Sequence, residues 1–326
     1  MRALEKRIFE ITDEKCFADL AFEVFKFQYH NCEVYKCFVD NLKINISDIK
    51  NINNIPFLPV EFFKEFKIIS GDDSFQEVFS SSGTSSISRS KHYIKNILIY
   101  EKSFLECFKL FYGNIEEYCI LALLPSYLER QDSSLVYMVK KLIELSKNKN
   151  NGFYLHNTEE LANKLNSLIA ENKKVILFGV SYALMDFADE HKIKLKNTVV
   201  IETGGMKGRK KEIIREELHN KLCESFGVNK IHSEYGMTEL LSQAYSKGDG
   251  IFESPPWMKV LIRDINDPMN IGIKEKTGGI NIIDLANIYS CSFISTQDSG
   301  IFHINETFEV TGRIDNSDIR GCNLLV

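Results

Sequence analysis

Short apolar runs that alternate with amphipathic stretches constrain the fold of this chain more than any other feature. Residues 118–124, 175–180 and 198–203 have the length and the β-branched composition of buried strands. Residues 96–112, 133–146, 159–172, 183–191 and 210–226 repeat their apolar positions with helical spacing. Buried strands separated by helices predict an α/β fold built on a parallel or mixed sheet.

The two ends of the chain differ from this central pattern. Residues 1–54 predict a helical region, since residues 2–41 mix apolar and charged positions and contain neither Pro nor Gly. Beyond residue 251, short segments separated by turn signals such as Pro255-Pro256 and Gly278-Gly279 predict an antiparallel or barrel-like part. We therefore expect an N-terminal region (1–54), a core (55–314) and a short tail (315–326).

Charge and cysteine usage exclude several classes of protein. The 326 residues carry 40 basic and 45 acidic side chains, so bulk positive charge for nucleic acid is missing. No apolar run approaches the ~18 residues of a membrane span, and charges interrupt the N-terminus where a signal peptide needs apolar residues. The eight cysteines are scattered without zinc-ligand spacing. These features predict a cytoplasmic protein without a structural metal.

The Ser-rich segment 79–91 is the strongest local signal for a ligand. Small hydroxyl residues around a glycine let backbone N–H groups converge on an anion, and Arg89 and Lys91 add positive charge. The segment lacks the Gly-Lys-Ser/Thr ending of a Walker A loop. The alternative is a flexible Ser-rich turn.

Two further motifs follow predicted strands. Gly204 and Gly205 stand after residues 198–203, where open α/β sheets bind flat ligands, although an ordinary turn would look the same. Residues 232–240 contain Thr238 and Glu239, whose hydroxyl and carboxylate suit a phosphate and its Mg²⁺. The alternative there is a turn with Thr238 as a helix cap. His232 is the one histidine that we place near this site.

Two motifs near the C-terminus complete the set. Asp298 stands two residues before Gly300, which predicts a turn, and its carboxylate suits the hydroxyl pair of a ribose. Residues 312–315 contain Arg313 in a Gly-Arg-x-Asp pattern. Each motif is weak by itself, but their order along the chain is specific.

In that order the motifs resemble those of the adenylate-forming (acyl-AMP ligase) superfamily, and the chain resembles its acyl-protein synthetase, or LuxE-like, branch. Residues 56–60, 79–91, 123–130 and 204–209 and the pair Gly321-Cys322 carry the resemblance, which extends from about residue 55 to the end. The resemblance implies the α/β core of that superfamily's N-terminal domain, with a small barrel-like part. It also implies that the mobile C-terminal domain, with its catalytic lysine, is lacking.

The resemblance further implies an activity. Enzymes of this kind use ATP and Mg²⁺ to convert a carboxylic acid, here a fatty acid, to an acyl-adenylate. LuxE-like members then move the acyl group to a cysteine near the C-terminus, matched here by Cys322, for delivery to a partner reductase or carrier protein. The other implied roles are phosphate binding by Ser81, Ser82, Gly83, Thr84 and Thr238, adenine contacts by Gly204, Gly205, Tyr235 and Gly236, Mg²⁺ binding by Glu239, and ribose contacts by Asp298 and Arg313.

The chain departs from the superfamily pattern at two motifs. The loop lacks the usual Thr-Gly-x-Pro-Lys ending, so Arg89 or Lys91 is the candidate for the catalytic role of the lysine. Gln297 stands where Gly is common. Two alternatives stay open, namely an acyl-CoA ligase resembling phenylacetate-CoA ligases and a non-catalytic nucleotide- or acyl-binding subunit. For Cys322 the alternative is ordinary packing beside Leu324 and Leu325.

Overall fold

The computed structural model describes residues 2–81, 89–124, 132–155, 157–204 and 213–314. Within these ranges the chain forms two compact units. The first unit contains the described parts of residues 2–104, 237–243 and 253–314. The second unit contains the described parts of residues 105–236 and 244–252. Each unit therefore combines segments that are distant in sequence.

Helices and strands alternate through the middle of the chain, as the apolar pattern predicts. The helices are α1 (Arg2–Ile8), α2 (Glu14–Asn31), α3 (Glu33–Asn41), α4 (Phe62–Glu65), α5 (Ile97–Tyr112), α6 (Ser134–Ser146), α7 (Thr158–Ala170), α8 (Ser181–Glu190) and α9 (Arg215–Phe226). The strands are β1 (Leu58–Pro59), β2 (Glu77–Ser80), β3 (Lys91–Ile94), β4 (Cys119–Leu123), β5 (Gly152–Tyr154), β6 (Val175–Val180), β7 (Thr198–Thr203), β8 (His232–Tyr235), β9 (Ala244–Ser246), β10 (Ile251–Glu253), β11 (Met258–Arg263), β12 (Gly278–Asp284), β13 (Phe293–Phe302) and β14 (Phe308–Arg313).

The N-terminal helices pack into the first unit through one face of α2. The helix begins at Asp13, whose side chain accepts a hydrogen bond from the Cys16 N–H at 2.8 Å. Its buried Gln28 donates to the Asn287 and Ile288 carbonyls and accepts from the Ser292 N–H. These bonds fix residues 287–292 against α2. No helix within the described ranges is long and apolar enough to span a bilayer.

Antiparallel strands dominate the sheet of the first unit, as predicted for the part beyond residue 251. Strands β11, β12, β13 and β14 pair antiparallel in that order, and β1 lies parallel to β13 with Leu58 opposite Ile294. Strands β2 and β3 form a separate hairpin with Ser80 opposite Lys91. The Ser-rich segment therefore connects two paired strands, of which the sequence predicts only the first.

The second unit contains the parallel sheet. Its strands follow the order β5-β4-β6-β7-β8, all parallel, with β9 antiparallel at the β8 edge. Every residue of β4 and β6 is buried, as expected for strands covered on both faces. The carboxyl ends of β6, β7 and β8 meet at one edge, which is where ligands bind in open α/β sheets.

Candidate functional site

Strands β2 and β3 of the first unit contain the two ends of the Ser-rich segment, which carries two cationic residues. The N–H of Ser81 donates to the Ser90 carbonyl at 3.0 Å, and the Ser90 N–H donates to the Ser81 hydroxyl at 3.1 Å. Arg89 and Lys91 are exposed. The other three predicted phosphate-binding residues, Ser82, Gly83 and Thr84, lie outside the described residues. The pairing of β2 with β3 thus brings the two ends of the candidate anion-binding loop together.

Thr238 and Glu239 lie in a tight turn of the first unit. The Leu240 N–H donates to the Met237 carbonyl at 3.1 Å. The Thr238 side chain is half-buried and Glu239 is fully buried. No helix follows within residues 237–250, so the interpretation of Thr238 as a helix cap is wrong. The turn instead holds a half-buried hydroxyl and a fully buried carboxylate at consecutive positions.

Two buried side chains hold the backbone of this turn. His92 of β3 donates from Nδ1 to the Thr238 carbonyl at 2.8 Å, and its Nε2 lies 2.9 Å from Oδ1 of Asn287. The amide of Asn287 donates to the Glu239 carbonyl at 2.8 Å. Burial lowers the pKa of His92, while these partners and the nearby Glu239 oppose that shift. The turn is therefore fixed from both β3 and the segment after β12.

Asp284 fixes the backbone of residues 241 and 242, which follow the turn. Its buried carboxylate accepts from the Leu241 and Ser242 N–H groups at 2.7 and 3.0 Å and from the Ser242 hydroxyl at 2.6 Å. Burial raises the pKa of Asp284 to about 6, against the effect of these hydrogen bonds. Sequence reasoning missed this residue together with His92 and Asn287. The signal was available in part, because Asp284 is the last residue of a buried strand and Asn287 stands three residues beyond it.

Asp298 and Arg313 lie opposite each other on β13 and β14. The structure thus joins the last two sequence motifs. The prediction that Asp298 lies in a turn is wrong, since β13 continues through it to Phe302. A register shift after Ser299 accommodates Gly300, where a Cβ atom would lie 2.3 Å from the Glu309 carbonyl oxygen. The glycine allows two strands to approach closely and does not end the strand.

In the second unit, a polar cluster lies at the carboxyl end of the parallel sheet. Gly204 follows β7 with a φ of 69°, a conformation that favours glycine. The Ser181 hydroxyl lies 2.6 Å from the Gly204 carbonyl oxygen and 2.7 Å from Oε2 of Glu202. Burial acts to raise the pKa of Glu202, but His219 and Arg215 lower it overall. Gly205 lies outside the described residues.

Strand β8 carries Tyr235 to the same edge. Its buried ring packs edge-on against Phe252, with ring centroids 6.1 Å apart, and Gly236 follows it half-buried. His232, at the other end of β8, is hydrogen-bonded to the Tyr112 hydroxyl at 3.3 Å. Burial and the neighbouring Lys247 lower the pKa of His232 to about 4. His232 is therefore a neutral partner of Tyr112 at neutral pH.

Glu234 is the buried acid of β8. The Thr203 hydroxyl donates to it across the parallel pair β7–β8. Burial raises the pKa of Glu234 to about 7; Thr203 opposes this shift, whereas the nearby Glu202 adds to it. Because the folded pKa exceeds the ordinary value of 4.5, folding favours the protonated acid and stability falls as pH rises from 4.5 through 7.

This shift gives a stability prediction. We expect Glu234→Gln to remove a pH-dependent loss of about 2 kcal/mol between pH 5 and pH 8, measured as the free energy of unfolding in urea. Glu253→Gln, at an exposed position of β10, is the control and should keep the wild-type pH dependence. Equal pH dependence in wild type and Glu234→Gln would show that Glu234 titrates normally.

The fold is that of the adenylate-forming ligases. The ATP-bound structure of MatB from Rhodopseudomonas palustris is similar with a TM-score of 0.56 at 15% identity, covering 74% of this chain and 49% of MatB. A 2-hydroxyisobutyryl-CoA ligase in its postadenylation state is similar with a TM-score of 0.67 at 10% identity, covering 93% of this chain and 68% of that one. The chain thus spans about half the length of MatB. The predicted α/β fold of the adenylate-forming enzymes is confirmed.

The sequence defines the family more narrowly. The model of the family described as "Acyl-protein synthetase, LuxE" matches residues 5–326, so the chain belongs to the LuxE family of acyl-protein synthetases and is an enzyme. A Vibrio harveyi protein, long-chain-fatty-acid–luciferin-component ligase, is 24% identical over 328 residues, covering 92% of this chain and 84% of the relative. The resemblance seen in the motifs is confirmed.

Proposed function

We propose that this enzyme uses ATP to activate a long-chain fatty acid as an acyl-adenylate and then binds the acyl group as a thioester of Cys322. An acyl reductase or carrier protein would then receive the acyl group. The name of the V. harveyi relative supports the choice of acid. The observation that carries the proposal is the turn at Thr238 and Glu239, which is rigidly held in a chain of this family.

The two chemical steps need alignment more than acid–base help. A carboxylate oxygen of the acid attacks the α-phosphorus, and the bond to the β-phosphate breaks to release pyrophosphate. A thiolate then attacks the acyl carbon, and the bond to AMP breaks. Negative charge builds up on the oxygens around the α-phosphorus in the first step, so fixed donors and cations near them supply the catalysis. A turn whose backbone is held by His92, Asn287 and Asp284 provides such fixed groups.

We assign the roles as follows. Thr238 contacts the α-phosphate, and Arg89 or Lys91 supplies positive charge to the phosphates. Cys322, which lies outside the described residues, is the acyl acceptor. The remaining nucleotide contacts in this assignment are Ser81, Ser82, Gly83 and Thr84 for the phosphates, Gly204, Gly205, Tyr235 and Gly236 for the adenine, and Asp298 and Arg313 for the ribose.

The donor set fits Mg²⁺ that arrives with the nucleotide. No group of three or more His, Cys, Asp or Glu side chains suited to a metal occurs in the described part of the chain. Mg²⁺ needs no such cage, since it is commonly bound by one or two carboxylates together with substrate phosphates and water. Glu239 supplies one fully buried carboxylate beside Thr238. There Mg²⁺ would neutralise phosphate charge and stabilise the departing pyrophosphate.

The cysteines support a reducing compartment. All seven cysteines in the described ranges are free thiols. A chain of this size with unpaired thiols is typical of the cytoplasm, which we propose as its location.

Pyrophosphate exchange into ATP, across a panel of carboxylic acids with and without CoA, tests the proposal. We expect exchange to depend on a fatty acid and to need no CoA, with AMP formed in a single turnover per protein. A requirement for CoA in acyl transfer would indicate a CoA ligase instead. Absence of exchange with every acid would indicate a binding subunit.

A further inference from the structure

Gln297 links a carboxylate to a guanidinium in the first unit. Its side-chain amide donates from Nε2 to Oε1 of Glu61 and accepts at Oε1 from Nη2 of Arg313. A carboxylate only accepts and a guanidinium only donates, so the amide can be oriented in one way alone. All three side chains are half-buried, where such bonds are shielded from water.

The backbone brings these three residues together. Strand β1 lies parallel to β13 with Pro59 opposite Ser295, and the Val60 N–H donates to the Ser295 carbonyl at 3.0 Å. Glu61 follows directly. Farther along the same edge of β13, the N–H of Ile314 donates to the Gln297 carbonyl at 2.9 Å. Both flanking segments are thus tied to β13 next to Gln297.

We propose that Gln297 is a positioning residue that holds Arg313 in place for the ribose of the nucleotide. This inference rests on the proposed function, in which Arg313 and its strand partner Asp298 contact the ribose. A long arginine side chain loses rotamer freedom when it binds a ligand, and prior ordering removes part of that cost. The link from Glu61 through Gln297 provides this ordering.

The two-sided bonding of the amide provides a test. The amide joins Glu61 to Arg313 because it donates to the carboxylate and accepts from the guanidinium. Replacing the amide by a carboxylate should therefore break this hydrogen-bonded link, since two carboxylates would then face each other. Exchanging both residues should restore it, because a glutamine at 61 would donate to a glutamate at 297.

The test measures binding of AMP and of 2′,3′-dideoxy-AMP by calorimetry to the full-length protein. We expect wild type to prefer AMP by about 10-fold or more, since hydrogen bonds to charged groups contribute on this scale. Gln297→Glu should lower that preference to about 3-fold or less, and the double variant Glu61→Gln/Gln297→Glu should restore it. If Gln297→Glu fails to fold, Gln297→Met, which has a similar shape without the amide, should show the same lowered preference.

The outcomes separate this inference from the proposed function. A full preference for AMP in the folded Gln297 variant, or no recovery in the double variant, would overturn the positioning role and leave the ribose assignment standing. Absence of any preference in wild type would overturn the ribose assignment, and with it the role of Gln297, even if acid-dependent pyrophosphate exchange were normal.

Discussion

Glu239→Gln and Thr238→Val should each lower acid-dependent pyrophosphate exchange on the order of 10²-fold or more, which is the scale for removing a preorganised transition-state contact. The Gln variant keeps the shape of a fully buried side chain and removes its charge. The Val variant keeps the branched shape of Thr238 and removes its hydroxyl. Neither change creates a cavity, so thermal unfolding should stay close to that of wild type.

The controls for these variants lie away from the turn. Thr198→Val removes a half-buried hydroxyl that donates to the Lys196 carbonyl at 2.9 Å, at the amino end of β7. Its exchange rate should equal that of wild type. Near-normal exchange in both Glu239→Gln and Thr238→Val would show that this turn does not bind the reacting phosphate and its metal.

Cys322→Ser should abolish the acyl adduct while leaving pyrophosphate exchange intact. Incubated with fatty acid, ATP and Mg²⁺, wild type should gain the mass of one acyl group, removable by neutral hydroxylamine because a thioester is reactive toward it. Reactivity requires the thiolate, which Arg320, two residues before Cys322 in the sequence, would favour. Intact-protein mass spectrometry measures the adduct directly.

The other cysteines provide matched controls. Burial raises the pKa of Cys119 to about 11, and it raises that of Cys291 well above the ordinary value, which makes both poor nucleophiles. Cys16 and Cys37 are exposed, so Cys16→Ser and Cys37→Ser are the informative comparisons. Both should still form the adduct. A hydroxylamine-sensitive adduct that persists in Cys322→Ser would place the acyl acceptor at another residue.

Elements with a strong local signal could be predicted from the sequence. The bounds of β6 and β7 agree with the prediction to the residue, because a continuous apolar run between helices has few other places to lie. The sequence does not predict β3, since its four residues include the charged Lys91 and continue directly from the Ser-rich segment. The glycine close to Asp298 predicts a turn, but it accommodates a register shift within β13.

For the candidate site, the sequence predicts only the motif residues. The order of Thr238, Glu239, Asp298 and the Gly-rich loops indicates the superfamily, but the groups that hold those residues carry no local signal. His92 and Asn287 are 195 residues apart in sequence and 2.9 Å apart in space. Such contacts depend on tertiary packing, which spacing along the chain does not report. The functional roles of the motif residues stay predictions.

Oxygen tracing tests the acyl-adenylate most directly. The fatty acid is supplied with both carboxylate oxygens as ¹⁸O, together with ATP and Mg²⁺, and the phosphate products are examined by mass spectrometry after a single turnover. Attack of the carboxylate on the α-phosphorus, followed by transfer to the thiol, leaves one labelled oxygen on AMP and none on pyrophosphate. Label in inorganic phosphate with formation of ADP, or AMP without label, would contradict activation through an acyl-adenylate.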